Sequence, residues 1–417
     1  MTPARQLASC NGPLGRSVPV RGSGLCIVVA LSAILGTPVA AQSGQWHREL
    51  PASYGIDFLA PIPPPPSHLH SPWPSPPLVR QPDEVRALYV NAWAFGGNRF
   101  RELVRLADET EVNALVIDLK DDTGYLTYRS KVPTAIAIGA NKELRARDTE
   151  ARVREMLAHG IYPIARIVVA KDPLLASGKP AWAIQHTDGG LWRDRRGTAW
   201  VDAFNDSVWI YAAQLAAEAV EMGFAEVQFD YVRFPDEPRS RMASAIFPAR
   251  RADESTRSGV RRNLVLLRDR MRPFDVPVTL DVFGMTTIMT GDMGIGQVWE
   301  DLVGLSDVVL PMVYPSHYAP GMYGTQTPNA DPYLVVRRAL EDGLRRNALL
   351  DRPASIRPYL QAFTLGAPRY TGEHVRAQIQ AAADVGIDSW VLWNPRSDYR
   401  ESGLVPAKLA LGSQPVM

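Results

Sequence analysis

Charged side chains recur inside short apolar runs of this 417-residue chain. Asp118, Arg166, Asp230 and Asp281 each stand within such a run. An ionisable group among buried strand residues is costly unless it is paired, so its presence there calls for a reason. We therefore interpret these four residues as a candidate site in which carboxylates lie beside a guanidinium.

Two or three carboxylates around one pocket match the chemistry of glycoside hydrolysis. One carboxyl group protonates the leaving oxygen, and another attacks the sugar carbon or activates water. We predict Asp230, Asp281 and Asp118 as the catalytic residues. Arg166 on an adjacent strand would favour the ionised form of Asp230, and a neighbouring carboxylate would keep Asp281 protonated.

Each carboxylate also has a structural alternative. Asp118 could form an ion pair with Lys120 or Arg166, Asp230 could cap a turn, and Asp281 could be a hydrogen-bond acceptor. Aromatic residues at strand ends can stack on sugars, but they are also common core residues. With these alternatives open, the predicted substrate-binding residues are Trp93, Lys120, Arg166, Arg233, Tyr314, His317, Gln361, Trp393 and Asn394.

The elements that must position these residues alternate along the chain. Apolar runs typical of strands cover residues 85–93, 114–120, 162–171, 226–233, 276–283, 307–314, 356–363 and 389–393. Helical patterns cover residues 99–110, 148–159, 206–222, 256–271, 297–302, 332–346 and 372–385. Parallel strands need crossover helices and read as continuous apolar runs, so the pattern predicts a (β/α)8 TIM barrel.

The structural rival is a doubly wound open sheet. No G-x-G-x-x-G motif follows the first strand, which disfavours that fold and nucleotide binding. One connection, residues 172–205, is unusually long and carries three tryptophans and several arginines. Loops that follow barrel strands build the active-site face, so we expect this insertion to form a wall of the substrate site; a lid over the core is the alternative.

Several sequence blocks resemble one known family. Residues 227–235, 280–284, 310–318 and 390–395, with residues 117–124, are similar to the blocks of DUF4015, a glycoside hydrolase-like family of bacterial and archaeal proteins. The resemblance extends from about Arg86 to Tyr399. It implies a barrel that hydrolyses glycosidic bonds of a polysaccharide or oligosaccharide. We predict that no cofactor is needed.

The chain departs from some better-known barrels. Chitinase-like enzymes carry Asp-x-Asp-x-Glu on the fourth strand, whereas Asp230 here is followed by Val232 and Arg233. The pattern is closer to amylase-like and α-galactosidase-like barrels, in which a fourth-strand aspartate is the nucleophile. Their fifth-strand glutamate is not matched, and Asp281 stands in that place.

The amino-terminal segment is typical of an exported protein. Arg5, Arg16 and Arg21 precede an apolar run over residues 25–35, and Ala41 ends a signal-peptide pattern. We expect a signal peptide over 1–41, a proline-rich linker over 42–84, the barrel over 85–400 and a tail over 401–417. The protein would then be periplasmic or secreted, with no stable membrane span and no cysteine after cleavage.

Composition disfavours several other functions. Lys and Arg total 45 against 44 Asp and Glu, so no basic surface for nucleic acid is indicated. No H-x-x-x-H or H-E-x-x-H spacing is present, and we predict no metal site; His68 and His70 are interpreted as solvated linker residues. The alternative to an enzyme is a non-catalytic carbohydrate-binding or cell-envelope scaffold.

Overall fold

The computed structural model describes residues 79–400 and 402–407, so the expected signal peptide, most of the linker and most of the tail lie outside the described residues. The strands are β1 Arg86–Val90, β2 Ala114–Lys120, β3 Tyr162–Val168, β4 Gln185–His186, β5 Glu226–Asp230, β6 Ala245–Ile246, β7 Val278–Phe283, β8 Val308–Met312, β9 Ser355–Ile356, β10 Tyr359–Gln361 and β11 Trp390–Trp393. The α-helices are α1 Ala92–Gly96, α2 Arg99–Glu109, α3 Pro133–Ile138, α4 Thr149–Ala158, α5 Pro173–Gly178, α6 Asp206–Glu221, α7 Arg239–Met242, α8 Thr256–Met271, α9 Trp299–Gly304, α10 Pro332–Asn347 and α11 Gly372–Ala383. None of the helices in these described ranges is long and apolar enough to cross a membrane.

The barrel closes through parallel pairing alone. Its strand order is β1, β2, β3, β5, β7, β8, then β9 and β10 together, and β11, which returns to β1. β2 and β3 are buried at every position, as expected for strands covered by side chains inside the barrel and by helices outside it. The predicted (β/α)8 TIM barrel is confirmed.

The seventh predicted strand is broken into two pieces. Arg357 and Pro358 separate β9 from β10, and β8 pairs with both pieces through Val309↔Ile356 and Met312↔Tyr359. Proline has no N–H to donate to a strand ladder, which accounts for the interruption. The barrel nevertheless closes at this point.

The first strand ends earlier than the sequence predicted. Asn91 caps helix α1, because its side-chain oxygen accepts a hydrogen bond from the Ala94 N–H at 2.8 Å. Trp93 therefore lies on a helix and not on a strand, and 69% of its surface is exposed. The guanidinium of Arg145 lies 4.6 Å from its ring centroid.

Two apolar cores support the barrel. The inner one is filled by alternate strand residues such as Tyr89, Ile164 and Leu310, and the outer one packs helices against the strands. Side chains alternate across a strand, so the residues in phase with the inner core point to the barrel axis. Arg166, two residues after Ile164, is in this phase.

A buried ion pair crosses the amino-terminal half of the barrel interior. Arg357 donates to both carboxylate oxygens of Glu226, at 2.7 and 3.2 Å, and both residues are almost fully buried. Removing one partner of such a pair leaves an uncompensated buried charge.

We expect Arg357→Met to lower the free energy of unfolding by about 3–5 kcal/mol, because Glu226 then loses its counter-charge. Urea denaturation measures this change. The double variant Arg357→Met/Glu226→Gln should recover most of the loss, since no buried charge is left. An equally unstable double variant would contradict this explanation.

Candidate active site

Three carboxylates converge on one arginine at the carboxyl end of the barrel. The guanidinium of Arg166 donates from Nη1 to Asp118, from Nη2 to Asp230, and from Nε to Asp281 at 3.2 Å. β2 and β5 flank β3, and β7 follows β5. The four side chains point into the barrel from these four adjacent strands, which brings them together. The predicted catalytic carboxylates and Arg166 thus form one cluster, and their chemical roles stay predictions.

The cluster has three carboxyl groups around one guanidinium, and this excess of acidic groups affects which of the carboxyl groups carry a proton. Burial raises the pKa of Asp281 well above its usual range, and the nearby charge of Asp230 raises it further, while Arg166 and Gln228 offset part of the effect. Burial alone would lower the pKa of Arg166, but the surrounding carboxylates raise it well above its usual range. The cluster therefore holds a permanent cation and favours a proton on Asp281.

Asp118 binds Arg166 and is buried beside Tyr89. Tyr89 donates its hydroxyl hydrogen to Asp118, and the carboxylate is 2% exposed. Burial raises the pKa of Asp118 to about 6, although Arg166 opposes the shift. Asp118 does not line the cavity, so its position fits the structural alternative of an ion pair that holds Arg166.

Gln228 and Tyr359 support Asp281 from the barrel interior. The Nε2 atom of Gln228 donates to Asp281 Oδ1 at 2.7 Å and to the Tyr359 hydroxyl at 2.6 Å. Both residues are fully or almost fully buried. These contacts hold the Asp281 carboxyl group from below and leave Asp281 lining the cavity above.

The backbone turns sharply directly after Asp230. Tyr231 has φ of 53°, a left-handed conformation that is rare for a bulky residue, and its N–H donates to Asp230 Oδ1. Strained conformations of this kind concentrate at functional sites. The turn brings Tyr231 and Arg233 to the wall of the same cavity as Asp230.

The cavity has a volume of about 730 Å³ and opens above the carboxylate cluster. Arg166, Asp230 and Asp281 contribute to its lining. A volume in this range can hold a few sugar rings. The carboxylates lie where a bound glycan could reach them.

Aromatic rings form one side of this cavity. Trp393 stacks on Tyr314 with ring centroids 5.7 Å apart and meets Phe363 edge-on at 5.0 Å. His317 lies against Tyr314 at 5.4 Å, and burial lowers the pKa of His317, which favours its neutral form. The structure thus brings Tyr314, His317 and Trp393 to the cavity, where rings can contact the apolar faces of sugars.

Four predicted substrate-binding residues do not line the cavity above the carboxylates. Trp93 is on the outside of the barrel, on α1. Lys120 is buried and binds Asp172 at 2.8 Å, after a register shift between Asp118 and Lys120 in β2.

Gln361 and Asn394 are held by local hydrogen bonds. Gln361 donates to Asn329 and to the Phe363 carbonyl, and its side-chain oxygen accepts from the Ser316 N–H. Asn394 donates to the Ala362 carbonyl at 2.6 Å and lines a different cavity, of about 750 Å³. Neither residue lines the cavity above the carboxylates.

The long insertion contributes wall residues that were not predicted individually. Asp194, Arg195, Arg196 and Trp200 line the cavity, and Asp194 accepts a hydrogen bond from the Trp200 indole at 2.9 Å. The expectation that residues 172–205 form a wall of the site agrees with this placement. Tryptophans and arginines in a loop after a barrel strand were the signal that could have identified them.

Lys171 and Glu237 also line the cavity. Lys171 binds Asp122 at 2.6 Å and lies 5.2 Å from the Tyr231 ring centroid. Glu237 pairs with Arg195 and Arg241 at 3.2 and 3.4 Å. Across residues 79–400 and 402–407, no group of three or more His, Cys, Asp and Glu side chains is arranged to hold a metal ion.

Known proteins are similar to this chain, one in sequence and another in fold. A hypothetical protein from Ruminiclostridium thermocellum is 35% identical over 47% of this chain and 97% of its own, with a TM-score of 0.43. The glycoside hydrolase domain of PgaB (BpsB) from Bordetella bronchiseptica is 15% identical over 75% of this chain and 95% of its own, with a TM-score of 0.54, which supports the fold. The α-galactosidase TtGalA from Thermus thermophilus, in complex with stachyose, is 16% identical over 77% of this chain and 64% of its own, with a TM-score of 0.46.

No curated protein sequence matches the chain. The family model DUF4015, described as "Putative glycosyl hydrolase domain", matches residues 87–399. This match includes every barrel strand except the first residue of β1 and contains the whole carboxylate cluster. The chain therefore belongs to the DUF4015 family of glycosyl hydrolase domains.

Proposed function

We propose that this glycoside hydrolase cleaves a polysaccharide with Asp230 as nucleophile and Asp281 as general acid. The observation that carries the proposal is that Arg166 binds both carboxylates at the floor of an open cavity. Acceptors on neighbouring nitrogens of one guanidinium must lie close together. Such a pair can act on the two ends of a single glycosidic bond.

Asp230 is suited to the role of nucleophile. It accepts hydrogen bonds from Arg166 and from the Tyr231 N–H, which fix the orientation of its carboxylate. It lines the cavity, so one of its oxygens can attack the anomeric carbon as the bond to the leaving oxygen breaks. The product of this step would be a glycosyl ester on Asp230.

Asp281 is suited to the role of acid. Its raised pKa keeps a proton available, and that proton passes to the leaving oxygen as the glycosidic bond breaks. The resulting Asp281 carboxylate then takes a proton from water, and the hydroxide releases the sugar from Asp230. Each cycle restores both groups to their starting forms.

Asp118 and Arg166 act as positioning residues in this proposal. Asp118 and Tyr89 hold the Nη1 side of Arg166 from behind, while Nη2 and Nε face the catalytic pair. A fixed guanidinium supplies positive charge without reorganisation during the reaction. Tyr314, His317 and Trp393 bind and orient the sugars along the aromatic wall.

Release of new reducing ends tests the proposal. The barrel-containing protein is incubated with a panel of polysaccharides, and the products are identified by mass spectrometry. Cleavage by the native protein but not by Asp230→Asn supports the enzyme. Binding without cleavage of any member of a broad panel would favour the non-catalytic scaffold instead.

We further propose that the protein acts outside the cytoplasm, in the periplasm or as a secreted protein. The arginine-flanked apolar run at residues 25–35, which lies outside the described residues, supports this. Amino-terminal sequencing of protein from its native host should find a chain that begins near Gln42. An intact Met1 on the mature protein would contradict export by this route.

A further inference from the structure

Arg233 is a buried cation at the cavity wall, three residues beyond Asp230. Only 7% of its surface is exposed, and it lines the cavity. Its Nη1 atom donates to the Phe234 carbonyl at 3.0 Å. Burial lowers the pKa of Arg233, which reflects the cost of keeping this charge away from water.

Within the part of the chain that the structure describes, Arg233 differs from Arg166 in having no ion pair. Arg166 binds three carboxylates, whereas no carboxylate among residues 79–400 and 402–407 lies within 4 Å of the Arg233 guanidinium. Within the same part of the chain, Nε and Nη2 of Arg233 have no hydrogen-bond acceptor. Neither nitrogen is among the buried polar atoms sealed from solvent, so both can reach a molecule in the cavity.

Three aromatic rings hold the guanidinium in place. Its central carbon lies 4.4 Å from the ring centroid of Phe283, 4.7 Å from that of Tyr231 and 5.3 Å from that of Trp200. Rings stabilise a cation by their quadrupoles, but they do not supply a counter-charge or accept its N–H groups in the ring plane. The rings therefore fix the guanidinium, while Asp230 and Asp236 act on its charge without a direct ion pair.

Two other cations of the wall are paired, and Arg196, which also lines the cavity, is exposed to water. Lys171 binds Asp122, and Arg195 binds Glu237. Asp230 is bound by Arg166, and Asp236 is exposed. Arg233 is thus a buried wall cation whose charge is left for a ligand.

We infer that Arg233 binds an anionic substituent of the sugar, a carboxylate or a sulfate, so that the substrate is an acidic glycan. Nε–H and Nη2–H form one edge of a guanidinium, and two parallel N–H groups on such an edge match two oxygens of a carboxylate or sulfate. A neutral sugar hydroxyl could accept one hydrogen bond, but it would bring no negative charge into contact with the buried guanidinium. The inference rests on the proposed function and names its substrate class.

The aromatic rings around Arg233 place this anion next to the reaction centre. Tyr231 directly follows Asp230, and Phe283 is two residues beyond Asp281. An anionic group held by Arg233 would therefore belong to a sugar close to the scissile bond, and not to a distant part of the polymer. Removing the charge of Arg233 should then affect substrate choice more than it affects binding of neutral sugars.

Calorimetric titration with matched monosaccharides tests the inference without any turnover. Glucuronate is compared with glucose, and galacturonate is compared with galactose. Glucose 6-sulfate is compared with glucose and with glucuronate. For at least one pair, we expect the wild-type protein to bind the anionic sugar about tenfold or more tightly, as hydrogen bonds to charged groups predict. A stronger effect for the sulfate than for the carboxylates would assign a sulfated glycan.

Two arginine variants provide the controls. Arg233→Gln should abolish the preference for the anionic sugar, and Arg233→Lys should keep part of it, because the charge stays while the paired N–H groups are lost. Arg105→Gln, an exposed arginine on α2, should leave the preference unchanged. If Arg233→Gln does not fold, the wild-type comparison and Arg233→Lys still decide the question.

The outcomes separate this inference from the proposed function. Equal binding of anionic and neutral sugars by the wild-type protein would overturn the acidic-glycan assignment, even if neutral polysaccharides are cleaved. Preferential binding of anionic sugars without cleavage of any acidic polysaccharide would instead support Arg233 as an anion site and contradict catalysis. If Arg233→Gln does not fold and the wild-type protein shows no preference for anionic sugars, Arg233 has only a structural role.

Discussion

Replacement of Asp230 by asparagine should reduce turnover by about three orders of magnitude or more, because it removes the group that attacks the sugar or stabilises its positive charge. The side chain keeps its shape, and its amide oxygen can still accept from Arg166. Arg166 would keep its ion pair with Asp118 and its hydrogen bond to Asp281, so folding should survive. Reducing-end release on a cleaved substrate measures the loss.

A matched control separates catalysis from stability in this experiment. Asp351→Asn changes an exposed aspartate in the loop after α10 and should leave both turnover and thermal unfolding unchanged. Asp230→Asn should unfold at a temperature close to that of the native protein. Near-native turnover by Asp230→Asn would show that the nucleophile is another group.

The barrel and its carboxylate cluster follow from sequence periodicity. Residues two apart on a strand share a face, so the phase of the apolar positions predicts that Asp118, Arg166, Asp230 and Asp281 point inward. Parallel pairing then places them at similar depths. That Arg166 itself joins all three acids depends on side-chain reach across several strands, which no local pattern contains.

Predictions failed where a strand ended or shifted. Asn91 starts a helix because its side chain accepts the Ala94 N–H, and Trp93 therefore leaves the strand phase. Lys120 follows a register shift and reaches Asp172 and not the cavity. Both departures accompany polar side-chain contacts, from Asn91 to the Ala94 N–H and from Lys120 to Asp172 and the Val168 carbonyl, and apolar periodicity does not record them.

The wall contributed by the insertion could be anticipated only as a region. Residues 172–205 have no long periodic element, and a short pairing of β4 with β6 holds part of the segment. Asp194 and Trp200 reach the cavity through contacts with each other and with the chain after β5. Contacts of this kind join residues far apart in the sequence, so composition can indicate a wall but cannot name its members.

Asp281→Asn should lose activity in a way that depends on the leaving group. In a polysaccharide the leaving group is a sugar hydroxyl, which is a poor leaving group unless it is protonated. Hydrolysis should therefore fall by about two to four orders of magnitude when the acid is removed. In a 4-nitrophenyl glycoside of the same sugar, the leaving group is the stabilised 4-nitrophenolate anion. The rate of the first step, in which this group leaves, should be reduced much less. Asp230→Asn should be equally impaired on both substrates.

The dependence on pH gives a second, independent signature of Asp281. Burial and the neighbouring Asp230 raise the pKa of Asp281, so its protonated form persists to higher pH than that of an exposed aspartate. In the native protein, kcat/KM on the polysaccharide should fall as the pH rises through this raised pKa, because the acid is then lost. In Asp281→Asn, cleavage of the 4-nitrophenyl glycoside should lack this alkaline decrease, since no proton remains to be removed at that position. An alkaline decrease that is the same in both proteins would assign the acid to another residue of the cavity, and Glu237, which also lines it, would be the next to substitute.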